Sequence, residues 1–389
     1  MQLGRTVFAD LISHLSPRSF HTCVDRYRGN YKASRFSCWD QFLSMAFAQL
    51  TYRESLRDIE ACLRALQPRL YHMGIRARIA RSTLADANET RDWRIYADFA
   101  QVLITDARRL YAHEALGVDL AHTVYALDAT IIDLCLTLFP WAPYTATQHA
   151  IKLHTLLDLR GPIPTVVRIT PAREHDVHFL DTLIPEAGAF YLMDRGYLDF
   201  TRLYVLTTAG AFFVTRTKAN LCLTRRVSRP ADPDQGIRSD QLVVPTHTRS
   251  RAAYPAPLRR VHYVDPDTGQ HLVFLTNHVT LPALTIAHLY RARWQVELFF
   301  KWIKQHLRIK AFYGTSPNAV KTQIWIAIAV YVLVAIVKKR LALDVTLHQC
   351  LQVLSVTLFE KQPISSALFT DHAQFPAETV GNQLQLLDL

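Results

Sequence analysis

Residues 290–310 read YRARWQVELFFKWIKQHLRIK, from Tyr290 to Lys310. The run contains no Pro or Gly and consists mostly of good helix formers, so it predicts one continuous helix. Wound at the helical angle, Tyr290, Arg293, Lys301 and Lys304 fall within roughly 40° of Glu297. Leu289, Val296, Phe300, Ile303 and Leu307 form an apolar stripe centred roughly 90° away. Such a helix packs by its flank and shows one carboxylate among three cations and a phenol. A carboxylate on a basic face suits a divalent ion held against a phosphate backbone. An ordinary surface helix with Glu297–Lys301 as an i,i+4 pair accounts for any single pair but less well for the set. Trp294 lies beside the charged face and Trp302 further round, and the segment holds six Arg or Lys against one Glu. Aromatics interleaved with cations serve to stack on bases and hold phosphates.

The spacing Tyr290-x2-Arg293-x3-Glu297-x6-Lys304 resembles the Tyr-Arg-Glu-Lys signature of the DDE transposases of the bacterial insertion-sequence-four family. Two upstream stretches extend the resemblance. Tyr125-Ala-Leu-Asp-Ala-Thr130 resembles the family's first motif, an apolar strand ending in Asp-x-Thr, and selects Asp128. Leu192-Met-Asp-Arg-Gly-Tyr197 resembles the second block and selects Asp194. From the residues alone Asp133 rivals Asp128, and Asp194 reads equally as a strand-to-helix turn in which Gly196 supplies an unusual backbone angle. The motifs cover residues 120–345; residues 1–118 match the family only in general character.

The resemblance implies a transposase that cuts an insertion sequence at its ends and transfers the strands to target DNA, by way of a hairpin. It implies catalytic and metal-ligating Asp128, Asp194 and Glu297. It also implies DNA contacts from Tyr290, Arg293, Trp294, Lys301, Lys304, Arg195 and Tyr197. Three such carboxylates would share two Mg²⁺ ions ~3.5–4 Å from each other, with Mn²⁺ able to substitute, in the two-metal arrangement for phosphoryl transfer. Double-stranded DNA is the expected partner, with a homodimer forming on it. Family members stack a flipped base on a tryptophan of the insertion. Residues 218–280 contain no tryptophan, which leaves Trp294 as the best-placed candidate.

Composition agrees with a polyanion partner. The chain has 389 residues, 50% hydrophobic and 20% charged, and a formal charge of +11, enough for a large core with a strongly basic surface. Six cysteines show neither CxxC pairs nor zinc-ligand spacing and read as reduced thiols. The opening MQLGRTVFADL lacks the build of a signal peptide. Ile324–Val337 is apolar but shorter than the ~20 residues of a bilayer span, so it predicts a buried helix. The expected location is the bacterial cytoplasm, with nucleoid association when bound to DNA.

Read in order, residues 1–118 predict helices only: Phe8–Leu15, Trp39–Leu50, Glu54–Leu66, Arg81–Asn88 with Ser82 as N-cap, and Asp92–His113. The pair either side of Pro68 and Gly74 reads equally as a helix-turn-helix or as part of a plain bundle. From His122 the period changes to strands. The expectation is His122–Asp128 and Ile131–Leu138 with a carboxylate between them, then a hairpin of Lys152–Leu159 and Ile163–Thr170 around Arg160-Gly-Pro162. A helix capped by Asp176 follows; a metal site in Glu174–His178 is the weaker alternative. Strand Gly188–Met193, helix Phe200–Thr208 and strand Ala211–Arg216 come next.

The fold class is therefore α/β: a ribonuclease-H-like mixed sheet flanked by helices, interrupted by a β-rich insertion and preceded by an all-helical domain. The units are 1–118 (DNA end binding), 119–217 and 281–345 (catalytic), 218–280 (insertion) and 346–389 (C-terminal helix and tail). Two other functions stay open: a nuclease on the same core that cuts without joining, and a non-catalytic DNA-binding descendant of a transposase.

Overall fold

The computed structural model describes residues 5–33, 35–76, 78–116, 120, 122–135, 137–145, 147–218, 220–306 and 312–368. Leu307 of the expected stripe and the tail beyond Pro376 lie outside the described residues.

Seven helices open the chain: α1 (Val7–Ser13), α2 (Pro17–Arg26), α3 (Cys38–Leu50), α4 (Leu56–Ala65), α5 (Gln67–Leu70), α6 (Arg81–Thr90) and α7 (Arg94–Tyr111). The side chains of Ser16, Ser37 and Ser55 each accept from a first-turn N–H, and Asp40 completes a capping box with Ser37. α2 escapes the sequence reading because its residues are mostly polar. Its cap and Pro17 start it, and burial of Phe20, Cys23 and Val24 holds it. Ser82 is not a cap, since α6 starts after Ala80 with no side-chain hydrogen bond. Among the described residues, α4 and α6 are separated by α5 and a 3₁₀ turn at Tyr71–Met73 rather than by the single tight turn of a helix-turn-helix.

The strands form one nine-stranded sheet. They are β1 (Val124–Leu134), β2 (His149–Asp158), β3 (Ile163–Pro171), β4 (Phe190–Met193), β5 (Phe212–Arg216), β6 (Leu223–Arg229), β7 (Ile237–Pro245), β8 (Leu258–Val264) and β9 (His271–Thr276). Their order is β3-β2-β1-β4-β5-β9-β8-β7-β6. β4 runs parallel to both β1 and β5, and the remaining pairs are antiparallel. α8 (Phe200–Thr208) links β4 to β5, and α9 (Thr248–Ala253) links β7 to β8. This mixed α/β architecture, with helices preceding the sheet, is the class the sequence indicated.

Two expectations change. β1 is a single strand, because its pairing with β2 runs unbroken from Tyr125↔Asp158 to Leu134↔His149 and carries the chain straight through Ala129 and Thr130. Residues 218–280 do not form a separate unit, because β9 pairs with β5 and so continues the sheet. β6 was not expected as a strand. Its Arg225, Arg226 and Val227 are exposed on the sheet's outer edge, so it lacks an apolar alternation to announce it.

α10 (Ala283–Ala292), α11 (Trp294–His306), α12 (Pro317–Arg340), α13 (Leu347–Thr357) and α14 (Ile364–Leu368) complete the chain. α12 packs against α3, α6, α7 and α13 and touches β3, so the first seven helices share one apolar core with one face of the sheet. α12 is long and apolar enough to cross a membrane by length and composition, yet 94% of its most apolar window is buried inside the protein. A second core, with Tyr191, Met193, Tyr197 and Phe213, lies on the other face of the sheet.

The expected continuous helix of residues 290–310 is two helices meeting at Arg293. There the Arg293 N–H donates to the Tyr290 carbonyl at 3.1 Å, and Val296 N–H donates to the Arg293 carbonyl at 3.0 Å. Both bonds reach back three residues, which tightens the turn. The buried arc of α11 is wider than the predicted stripe. It includes Phe299 and Trp302 besides Val296, Phe300 and Ile303, because α12 covers this side with Tyr331 against both added rings.

Candidate active site

The last parallel pair between β1 and β4 is Leu127↔Met193, so Asp128 and Asp194 step out of the paired region side by side. Side chains alternate along a strand. Ala126 and Leu192 belong to the core shared with the helices, while Leu127 and Met193 belong to the opposite core. Two residues on from Ala126 and Leu192, the two carboxylates rise on the helix-covered face, where α11 packs on β1. Asp133 lies five positions from Asp128, hence on the other face, and is exposed. That removes it as a rival.

The helices bring the remaining groups. Arg293 Nη1 donates to Asp128 Oδ2 at 3.0 Å, and its Nη2 donates to Glu297 Oε1 at 2.6 Å. Tyr290 Oη approaches Asp194 Oδ1 at 3.5 Å, and the Arg293 guanidinium lies 5.5 Å from the Tyr290 ring centre. Asp128 Oδ1 accepts from the Ala129 N–H at 2.8 Å. Thr215 Oγ1 donates to the Asp194 carbonyl at 3.2 Å, tying that backbone to β5.

Burial pushes the Asp128 carboxyl up to about 6; Arg293 and the Ala129 N–H oppose the rise, and the charges of Glu297 and Asp194 add to it. Three carboxylates thus converge electrostatically as well as in space. Burial works against the charge on Arg293, but Tyr290, Asp128 and Glu297 together hold its proton more tightly than usual. Burial also pushes the Tyr290 phenol up to about 12, so it stays a hydrogen-bond donor.

The other sequence-predicted residues fall in three places. Arg195, Trp294 and Lys301 are exposed, and the Trp294 indole stands half in solvent at the start of α11. Lys304 is half-buried on the same helix. Tyr197 departs from expectation: it is 2% exposed, in the second core, and its burial beside Asp128, Asp176 and Asp194 raises its pKa well above the ordinary value. The 3₁₀ turn Arg195–Tyr197 swings this ring inward, so its assignment as a DNA contact is corrected to a packing role. Gly196 takes no positive φ, so the special backbone angle expected there is absent. Asp176 caps nothing with its side chain; it pairs with Lys152 Nζ at 2.8 Å.

Sequence reasoning missed Arg216, which closes β5 beside Asp194 and bears on the Tyr290 hydroxyl. Its only advance signal is a cation ending a strand parallel to the one that ends in Asp194.

Among the described residues no three His, Cys, Asp or Glu side chains stand ready as placed to share an ion. At Asp128 the Arg293 fork lies between two of the three carboxylates. The donor set itself is all hard oxygen, which fits Mg²⁺ or Mn²⁺ rather than zinc. The convergence of three negative charges on a half-buried spot likewise fits a multivalent cation.

Residues 119–333 match the family described as Transposase DDE domain, and residues 3–76 match a domain of unknown function, DUF4372. The chain is 32% identical over 286 residues to the putative transposase y4zB of Sinorhizobium fredii, covering 73% of this chain and 78% of that protein. It is 29% identical over 209 residues to a probable transposase for insertion sequence element IS5377 of Geobacillus stearothermophilus, covering 53% and 54%. It is also 23% identical over 321 residues to a putative transposase for element IS4SA of Synechocystis, covering 81% and 87%. Among solved structures it is similar to a piggyBac transposase synaptic complex with hairpin DNA, at 10% identity and a TM-score of 0.47, over 97% of this chain and 87% of that one.

Proposed function

The chain belongs to the DDE-domain transposases, enzymes that cleave DNA and transfer its strands, and from this premise we propose that Asp128, Asp194 and Glu297 are its catalytic carboxylates. The observation that carries the reading is their convergence on one face, where the pairing of β1 with β4 ends and α11 packs across. The family depends on divalent metal, and the three carboxylates would hold two Mg²⁺ ions, or Mn²⁺, which supply charge stabilisation at the attacking and leaving oxygens.

The chain's own groups do the rest. Arg293 and Tyr290 stand among the carboxylates and are placed to meet the phosphate being cut. Arg195 follows Asp194 directly and, with Lys304 further along α11, would contact phosphates; Lys301 instead lines a cavity with Tyr111, Arg160 and Tyr331, so its phosphate would lie further along the duplex, and exposed Trp294 offers a face for stacking on an unpaired base. Hydrolysis of one strand at the element's end frees a 3′-hydroxyl. That hydroxyl attacks the opposite strand and closes a hairpin; after the hairpin is opened, the end attacks target DNA. Bringing two ends together calls for a homodimer on DNA. The α1–α7 region would recognise the ends, in the cytoplasm with the chain associated with the nucleoid.

The test is cleavage of a short duplex carrying the element's native end, with Mg²⁺ or Mn²⁺, by wild type and Glu297→Gln. Nicking at the boundary by wild type alone is expected. Binding without cleavage by either would favour a DNA-binding descendant, and cutting that never proceeds to joining would favour a nuclease. Lys304→Ala should weaken end binding and lower the salt slope by about one contact's worth. Unchanged binding at raised salt would remove Lys304 from the interface.

A further inference from the structure

We propose that Arg293 gates metal entry: its guanidinium fork spans Asp128 and Glu297, so it must open before one divalent ion can hold both carboxylates, and a DNA phosphate is what draws it away. This rests on the metal-dependent reading of the site and adds a coupling between DNA and metal binding. Two different nitrogens of one planar group make the contacts, at 3.0 Å to Asp128 and 2.6 Å to Glu297. The fork therefore sets the spacing between a carboxylate on β1 and one on α11.

The Arg293 side chain is only 14% exposed, against 22% for Asp128 and 33% for Glu297. An ion shared by these two residues would compete with the fork for Asp128 Oδ2 and Glu297 Oε1, and the second Asp128 oxygen already accepts from the Ala129 N–H. The ion would also stand against a guanidinium in a poorly solvated place, where like charges repel strongly. Closed fork and shared ion therefore oppose each other. The Arg293 Nε is buried with no acceptor among the described residues, so the closed position leaves one donor unused. A phosphate offers the fork two oxygens in matching geometry. Arg293 can then leave the carboxylates without losing a charged partner, at the moment when DNA is present. By linkage, DNA tightens the ion and the ion tightens DNA by the same factor.

The experiment is Mn²⁺ binding to the full chain, followed by the electron paramagnetic resonance of the free ion, with and without a short duplex and corrected for Mn²⁺ held by the duplex alone. Arg293→Gln removes the fork and its charge; Arg293→Lys keeps the charge and loses the two-pronged geometry. Without DNA, both variants are expected to bind Mn²⁺ on the order of tenfold more tightly than wild type. The duplex should tighten Mn²⁺ on wild type by a similar factor and on the variants far less. Arg293→Lys matching wild type while Arg293→Gln tightens would reduce the effect to simple charge and overturn the gate, as would equal affinities in all three. Absence of Mn²⁺ binding in every chain would remove the metal-dependent reading as well, whereas ordinary binding without these differences removes the gate alone. If Arg293→Gln does not fold, Arg293→Lys and the duplex dependence of wild type carry the test.

Discussion

Asp128→Asn is expected to lower cleavage by roughly 10³-fold or more without lowering the stability of the metal-free protein at pH 8. The loss of cleavage follows if this carboxylate is one of three that share the ions, since an amide binds a hard cation far more weakly. The stability follows from the position of the residue. Burial holds its carboxyl near 6, above the ordinary carboxylate value. The native state therefore binds the proton more tightly than the unfolded chain does, and stability from this group falls as pH rises from about 4 to about 6. Above that window the protein carries a buried charge that Arg293 only partly offsets. Asn carries none. Wild type should thus gain on Asp128→Asn as pH falls from 8 to 5, the reverse of what a carboxylate stabilised by its ion pair would show. Thermal unfolding in chelator at pH 8 and pH 5 reads this directly. A variant markedly less stable than wild type at pH 8 would show that the Arg293 pair outweighs the burial cost. Retained cleavage would remove Asp128 from the catalytic set.

What the sequence conveys about this site is its chemistry rather than its contacts. Glu297, Arg293 and Tyr290 are close in sequence, so helical spacing alone puts them near one another. Asp128 lies far upstream, and nothing local says that Arg293 reaches it. For the same reason the break between α10 and α11 is invisible. No helix breaker stands at Arg293, and the tight turn sits where a side chain is held by a distant strand. Tyr197 shows the limit of a motif, because adjacency to Asp194 does not tell which face of the sheet the ring will choose. Elements with strong local signals are legible. α8 opens on Asp199, whose side chain accepts from Arg202 N–H, and β9 alternates His, Val and Leu against Leu, Phe and Thr. β1 was misread at Ala129 and Thr130 because its length is set by its partner β2, a long-range property.

Arg259→Met should cost about 3–5 kcal/mol of folding stability, as expected when one partner of a buried ion pair is removed. Arg259 on β8 donates to Asp240 on β7 through Nε at 2.8 Å and through Nη2 at 2.7 Å, and its Nη1 reaches the Leu281 carbonyl. The two side chains are 3% and 5% exposed. Without the guanidinium, the nearly buried Asp240 loses both charge-assisted hydrogen bonds, and Arg229, its cross-strand neighbour on β6, is engaged with the Val279 carbonyl instead. The effect should reach the site as well, because Leu281 leads into α10, and α10 delivers Tyr290 and the Arg293 turn. The pair therefore ties the outer strands to the helix that completes the carboxylate cluster. Replacing both partners, as Arg259→Met with Asp240→Leu, should recover most of the lost stability, since the uncompensated charge is then gone. It should not recover the bond to Leu281, so cleavage should stay below wild type even where urea unfolding returns to normal. A loss under about 1 kcal/mol in the single variant would mean that water reaches the pair. Full cleavage in the double variant would show that the outer strands do not position α10.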